Sequence, residues 1–212
     1  MQLKHSFWYF TSVLSSKFCD ELIQYGNSLR EQEALIGDIT SKQEAGKEIT
    51  KEDIDNLKRK RDSNISWIAE PWLYREIHPY VELANKNAEW NFQWDFSEAC
   101  QFTKYKLNQY YDWHQDGWNE PYDRPTAPDF HGKIRKLSVT VSLSDQNDYE
   151  GGELEFDFRN RDDGKEDRRA CKEILPKGSI CVFPSFIWHR VTPVTKGIRY
   201  SLVMWSLGYP FK

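Results

Sequence analysis

The spacing of hydrophobic and polar positions in this chain changes near residue 90, from a helical period to a period of two. Before that point, FWYFTSVL (7–14) reads as a first strand. Ser15 or Ser16 then stands where an N-cap belongs, ahead of a helix with Phe18, Leu22 and Ile23 on one side that Gly26 is expected to stop. Residues 27–64 are polar and charge-rich, a loosely held excursion. Within them Thr50 and Asp53 have the spacing of a capping box, which predicts a short helix with Ile54 and Leu57 turned inward. A further helix is predicted over 71–88, with Pro71 in its first turn and Leu73, Ile77, Tyr80, Val81 and Ala84 as its apolar stripe. Pro79 is expected to kink or split it.

From Trp90 onward strands dominate. In RKLSVTVSLSD (135–145), Leu137, Val139, Val141 and Leu143 face one way, and Lys136, Ser138, Thr140 and Ser142 the other. GELEFDF, SICVFPS, IWHRVTPV and IRYSLVMW predict further strands. Helices first and six or more strands afterwards predict a mainly β, α+β architecture: a barrel or sandwich with N-terminal helices packed on one side. One domain is expected over 1–212, with 1–89 mainly helical support and 90–208 the β core. Residues 117–134 hold three prolines and two glycines and predict an irregular loop; 159–169 predict a charged, solvated hairpin tip.

Composition narrows the function. A net charge of −4 argues against a dedicated nucleic-acid binder, and the basic run Lys58-Arg59-Lys60-Arg61 suits a solvated helix C-terminus better than a polyanion contact. Nine Trp, 11 Tyr and 12 Phe fit either a β-rich core or stacking platforms, the core being the simpler reading. Cys19, Cys100, Cys171 and Cys181 show no C-x-x-C spacing, which argues against a zinc knuckle and fits reduced thiols in a cytoplasmic protein. No apolar run reaches membrane-spanning length, and the N-terminal apolar run is too short for a signal peptide.

The chemistry centres on YDWHQDGW (111–118). In a strand, His114 and Asp116 would share a face and could share a metal; a satisfied pair at a strand end, with Asp116 bonded to a turn, is the bland alternative. A third donor stands in FPSFIWHRVTPVTKGIRYSLVMW (183–205), where His189 shares a face with Ile187 and Val191. A turn at Lys196-Gly197 then leads to Arg199, Ser201 and Val203 on one face of what reads as the adjacent antiparallel strand. His114, Asp116 and His189 make a 2-His-1-carboxylate set, which suits non-haem Fe(II) with open positions. Arg199 adds a rigid fork for a carboxylate and Ser201 a hydroxyl. Taken singly, Arg199 also reads as an ion pair with one of the many acidic residues, and His189 as a core histidine.

These residues resemble the Fe(II)/2-oxoglutarate-dependent dioxygenases, specifically the prolyl 4-hydroxylase-like branch. The resemblance runs from about residue 10 to 208. It rests on His114, Asp116, His189 and Arg199 and on YKLNQYYDWHQD (105–116), which matches the pattern Y-x-x-x-Q-x-Y-x-x-H-x-D. It implies a double-stranded β-helix (a jelly-roll, cupin-like barrel), His114, Asp116 and His189 as catalytic iron ligands, and Tyr105, Arg199 and Ser201 around the co-substrate. The family's usual glycine before the glutamine is Asn108 here, a residue that tolerates a left-handed turn, and Ser142 replaces a tyrosine common in relatives. The implied cofactors are Fe(II), 2-oxoglutarate and O2, with ascorbate as a candidate reductant. The implied activity is hydroxylation of an unactivated C–H, as in prolyl 4-hydroxylation of a peptide or protein, with release of succinate and CO2.

Trp118, Tyr122 and Trp205 are the candidate substrate contacts, since aromatics near the iron suit a pyrrolidine ring, although core packing also explains them. His131 reads as a loop residue rather than a ligand. Three rivals remain: a 2-oxoglutarate oxygenase acting on a small molecule or a non-prolyl residue, a non-enzymatic cupin-like metal-binding module, and a nucleic-acid demethylase of the same superfamily. The carboxylate clamp argues against the second and the acidic net charge against the third.

Overall fold

The computed structural model describes residues 3–34, 46, 48–117, 120–158 and 167–211. Within them the chain begins with β1 (Trp8–Phe10), α1 (Ser16–Ser28), β2 (Gln32–Glu33) and α2 (Lys51–Lys60). Next come β3 (Arg61–Asp62), β4 (Asn64–Ile68) and α3 (Pro71–Asn87). Strands β5 (Phe96–Ser97), β6 (Cys100–Tyr105), β7 (Tyr110–His114), β8 (Ile134–Ser142), β9 (Tyr149–Gly151), β10 (Leu154–Asp157) and β11 (Arg168–Ala170) follow. A 3-10 turn at Lys172–Ile174 leads to β12 (Ile180–Pro184), β13 (Trp188–Val191), β14 (Val194–Gly197) and β15 (Arg199–Gly208). The larger sheet runs β1-β12-β8-β15-β6-β4-β2 with β5 also on β15; the smaller runs β11-β10-β13-β7-β3, and β14 pairs with β9. This is the mainly β, double-stranded β-helix architecture. The first 89 residues, expected mainly as helical support, also supply β1 to β4.

Strand alternation has a meaning here that polarity alone does not convey. Leu137, Val139 and Val141 of β8, Leu202 and Met204 of β15 and Phe102 of β6 pack in one core with Leu22 of α1 and Leu73, Ile77, Val81 and Ala84 of α3. The apolar face of the larger sheet therefore points away from the smaller sheet and is covered by helices. The other face is buried as well: Ser138, Thr140 and Ser142 are 0%, 6% and 2% exposed. Small polar side chains there, such as Ser138 hydrogen-bonded to Ser185 (2.9 Å), leave room for a cavity between the sheets. A second apolar cluster is built on Leu154, Phe156, Cys181 and Phe183.

Several local expectations hold. Ser15 caps α1 through a hydrogen bond from the Phe18 N–H (3.1 Å), and Thr50 and Asp53 form a reciprocal capping box on α2. Asn108 is left-handed at φ 65°. All four cysteines are buried free thiols.

Others are corrected. Gly26 does not stop α1, which runs on to Ser28; its role is close approach, since a Cβ there would lie 2.6 Å from the Phe102 ring. Ile54 is 41% exposed and only Leu57 of the α2 pair is buried, because a helix this short meets the sheet along one turn. Helix α3 continues unbroken through Pro79, as buried side chains before and after the proline hold both halves on the same core. Lys58, Arg59 and Lys60 are exposed at the end of α2, but Arg61 starts β3 and is 6% exposed. Of the expected charged tip at 159–169, residues 159–166 lie outside the described residues, as do 35–45 and 47 of the polar excursion.

Gly26 yields a test in which packing opposes propensity. Alanine is about 1 kcal/mol better than glycine inside a helix, whereas overfilling a tight core costs about 1–3 kcal/mol. Gly26→Ala is expected to lower stability by about 1 kcal/mol in urea denaturation, and Gly26→Val by more.

Candidate metal and co-substrate site

His114 and His189 meet because they are direct cross-strand partners at the end of the β7–β13 ladder. Opposed residues in an antiparallel pair carry their Cβ atoms about 5 Å apart, and the two ring centroids stand 4.1 Å apart. Asp116 arrives differently from expectation. Strand β7 ends at His114, so Asp116 is not on the same strand face; the N–H groups of Asp116 and Gly117 both donate to the Ser185 carbonyl (2.9 and 2.8 Å), and this turn swings the carboxylate beneath the rings. Asp116 Oδ1 lies 3.6 Å from His114 Nε2, and Oδ2 lies 3.4 Å from His189 Nε2.

The donor set fits a cation. His114 Nδ1 is 2.8 Å from the Asp112 carbonyl and His189 Nδ1 is 2.9 Å from the Ile187 carbonyl, contacts that require each Nδ1 to carry its proton and donate. The Nε2 atoms are then left free to accept or to ligate, and they face a carboxylate that is also an acceptor. Burial, followed by the neighbouring His189, pushes His114 down to about 4, so its ring is neutral at pH 7. Three facing acceptors, with ligand atoms all within 4.8 Å, are a site for a positive ion. First-row metals bond such donors at about 2.0–2.2 Å, which sets neighbouring donors about 3 Å apart.

Arg199 comes from the other sheet. His189 and Arg199 are not on adjacent strands: β13 lies between β10 and β7, β15 lies between β8 and β6, and β14 intervenes in sequence. They meet across the barrel, lining one cavity of about 660 Å³. Lys196-Gly197 is accordingly no hairpin turn but the end of β14, where a Gly197 Cβ would lie 2.0 Å from the Asp148 carbonyl oxygen. Arg199 is 3% exposed, donates from Nη1 to Ser201 Oγ (3.1 Å) and stands 5.5 Å over the ring of its cross-strand partner Tyr105. No carboxylate among the described residues pairs with it, which argues against the ion-pair alternative and leaves a buried fork for an incoming anion.

Tyr122 and Trp205 line the same cavity. Tyr122 donates to Glu98 Oε1 (3.1 Å), Glu98 is held by Arg135 through two bonds of 2.6 and 2.7 Å, and the Arg135 guanidinium lies 3.9 Å over Trp205. Trp118 lies outside the described residues. His131 is half exposed beside Asp123 (3.8 Å), away from the metal donors. Sequence reading missed Tyr111, whose ring stacks on His114 at 3.5 Å, although it sits within the quoted motif. It also missed Glu98 and Arg135, for which no local pattern gives a signal, and read Arg61 only as part of a solvated basic run. Cys171 and Cys181 lie with sulfurs 4.0 Å apart despite their separation in sequence.

The family model described as the 2OG-Fe(II) oxygenase superfamily matches residues 100–207. A PKHD-type hydroxylase of Synechococcus sp. (strain CC9902) is 40% identical over 95 residues, 44% of this chain and 37% of its own length. One from Xylella fastidiosa (strain M12) is 36% identical over 108 residues, 50% of this chain and 42% of its own. The match thus spans about two-fifths of the length of these curated relatives. Among solved structures, a viral collagen prolyl hydroxylase from Paramecium Bursaria Chlorella virus-1 superposes with TM-score 0.60 at 20% identity, over 97% of each chain. A Pseudomonas putida prolyl-4-hydroxylase gives 0.59 at 18%, over 96% of this chain and 93% of its own. A Trichoplax adhaerens prolyl hydroxylase, solved with a hypoxia inducible factor peptide fragment, gives 0.60 at 16%, over 96% and 84%. At these identities the structural matches establish the fold.

The lowered His114 pKa makes stability depend on pH in a definite direction. An unfolded histidine titrates near 6.5 and the folded ring near 4, so between these values only the unfolded chain binds the proton. Stability present above pH 6.5 is therefore lost as pH falls toward 4, by up to about 3 kcal/mol from this group. Melting of the metal-stripped protein should show this decline, and His114→Asn should flatten it.

Proposed function

Since this chain belongs to the 2OG-Fe(II) oxygenase superfamily, we propose that it hydroxylates an unactivated C–H of a peptide or protein, and specifically C4 of a prolyl residue. The observation that carries this reading is the pairing of a His114/Asp116/His189 cation site with an unpaired, buried Arg199 in one cavity. A metal-storage barrel has no use for such a guanidinium. Fe(II), 2-oxoglutarate and O2 are the cofactors of the superfamily.

His114 and His189 present neutral Nε2 donors, each kept in its tautomer by a backbone carbonyl at Nδ1. Asp116 supplies the anionic donor. Arg199 binds the far carboxylate of the co-substrate, with Ser201 fixing the guanidinium and Tyr105 packing beneath it. Bound Fe(II) with O2 supplies the oxidising chemistry that hydroxylates the C–H as 2-oxoglutarate is converted to succinate and CO2, while the barrel orients the reactants and limits water. Ascorbate fits as an external reductant.

The cavity mouth supports a peptide. Trp67 and Trp188 line it while 44% and 46% exposed, and Tyr122 and Trp205 stand deeper. Flat apolar rings of this kind suit a pyrrolidine ring. Strands β1 and β15, near the two ends of the chain, lie in the same sheet, which supports treating 1–212 as one catalytic unit. Four buried free thiols support a reducing, cytoplasmic setting. Among the described residues no helix is long and apolar enough to cross a membrane.

Two substitutions test the assignment. Asp116→Ala removes the anionic donor and should reduce succinate formation to background; wild-type output from this variant would remove the metal site from consideration. Arg199→Met loses a charge-assisted bond of about 1.5–3 kcal/mol, so 2-oxoglutarate should bind roughly 10–100-fold more weakly. Incubating the iron-loaded enzyme with proline-containing peptides and with free amino acids, and reading the oxygen mass shift, separates prolyl hydroxylation from a small-molecule or non-prolyl oxygenase.

A further inference from the structure

Arg61 is the one part of the basic run that the fold takes inside. It is 6% exposed and lines the cavity that holds the metal donors and Arg199. Its position is set on two sides. Nε donates to Ser63 Oγ (2.9 Å), and the guanidinium carbon stands 4.4 Å over the ring of Tyr111, its cross-strand partner in the β3–β7 pair. That same ring stacks on His114, so Arg61 is tied through a single aromatic to a candidate iron ligand. Yet Nη2 has no hydrogen-bond acceptor, and no carboxylate among the described residues pairs with the group. A guanidinium stays protonated when buried, and a buried charge without a partner is costly.

Of the other cavity arginines, Arg124 lies over the rings of Tyr122 and Phe130, and the remaining two have anionic partners assigned. Arg135 is neutralised by Glu98, and Arg199 is committed to the co-substrate. A 2-oxo diacid has only two carboxylates, one for the metal and one for Arg199, so it offers nothing to Arg61. We infer that Arg61 is a substrate-specificity residue that binds a carboxylate of the substrate beside the reacting carbon. This rests on the proposed function and narrows it: the preferred substrate is an acidic peptide segment, in which an Asp or Glu side chain or a terminal carboxylate stands near the target residue.

The test uses the full chain loaded with Mn(II) and 2-oxoglutarate and reads binding rather than turnover. The probes are matched proline-containing peptides: one with Glu flanking the proline and an amidated end, one with Gln and a free C-terminal carboxylate, and one with Gln and an amidated end. Wild type should bind at least one carboxylate form about tenfold more tightly than the fully amidated form, as expected for one charged hydrogen bond, and the first two peptides distinguish the source of the carboxylate. Arg61→Met should erase that ratio while leaving 2-oxoglutarate affinity unchanged. A ratio near one in wild type overturns the inference without any variant. So does a ratio that persists in Arg61→Met, or a loss of 2-oxoglutarate affinity like that of Arg199→Met. Arg61→Gln, which retains a donor toward Ser63, serves if the methionine variant does not fold. If no proline peptide binds, N-acetylglutamate and N-acetylglutamine replace them: Arg61-dependent preference for the acid keeps the anchor and discards the prolyl reading, and its absence discards the anchor.

Discussion

Three acceptor atoms buried together with no donor among them are the constraint around which this site is organised. Two backbone carbonyls hold the histidine protons on the far side of each ring, and the lone pairs that remain face a carboxylate. Without a cation that grouping is an electrostatic liability; with one it becomes a binding site. The elements that produce it are unremarkable individually. A cross-strand register sets two histidines opposite each other, and one carbonyl, that of Ser185, takes the two N–H groups that turn Asp116 toward them.

A polar interior of this kind needs its stabilising apolar contact elsewhere. The larger sheet solves this by turning its aliphatic stripe outward against α1 and α3 and its serines, threonines and arginines inward. The helices are therefore part of the site's support: they bury the face that lets the opposite face stay polar. Gly26 shows how close that contact is, because the α1 backbone rests on the Phe102 ring of β6. Three residues further along β6, the same strand carries Tyr105, opposite Arg199 of β15.

Three of the guanidiniums that line the cavity are distinguished by their partners. Arg135 is held by Glu98 and stacks on Trp205, Arg199 is braced by Ser201 and Tyr105, and Arg61 is braced by Ser63 and Tyr111. Identical charges thus acquire different chemistry from their neighbours. The planar fork keeps a fixed direction when one edge is bonded and one face is stacked, which a lysine would not do.

Much of this was legible in the sequence because it is local. Period-two alternation announced the strands, the serine and threonine caps announced α1 and α2, and His114, Asp116, His189 and Arg199 stood out by type and spacing. What the sequence could not determine was which sheet each strand joins, since pairing between distant segments is settled by packing. His189 and Arg199 are ten residues apart and lie in opposite sheets, so they meet across a cavity rather than along a ladder. For the same reason alternation alone does not say that the polar face of β8 is interior, as it is in the fold. Arg61, one of four consecutive cations, becomes a buried group only because β3 pairs with β7. Local patterns determined which residues could do chemistry; only tertiary burial decided which of them are left without a partner of their own.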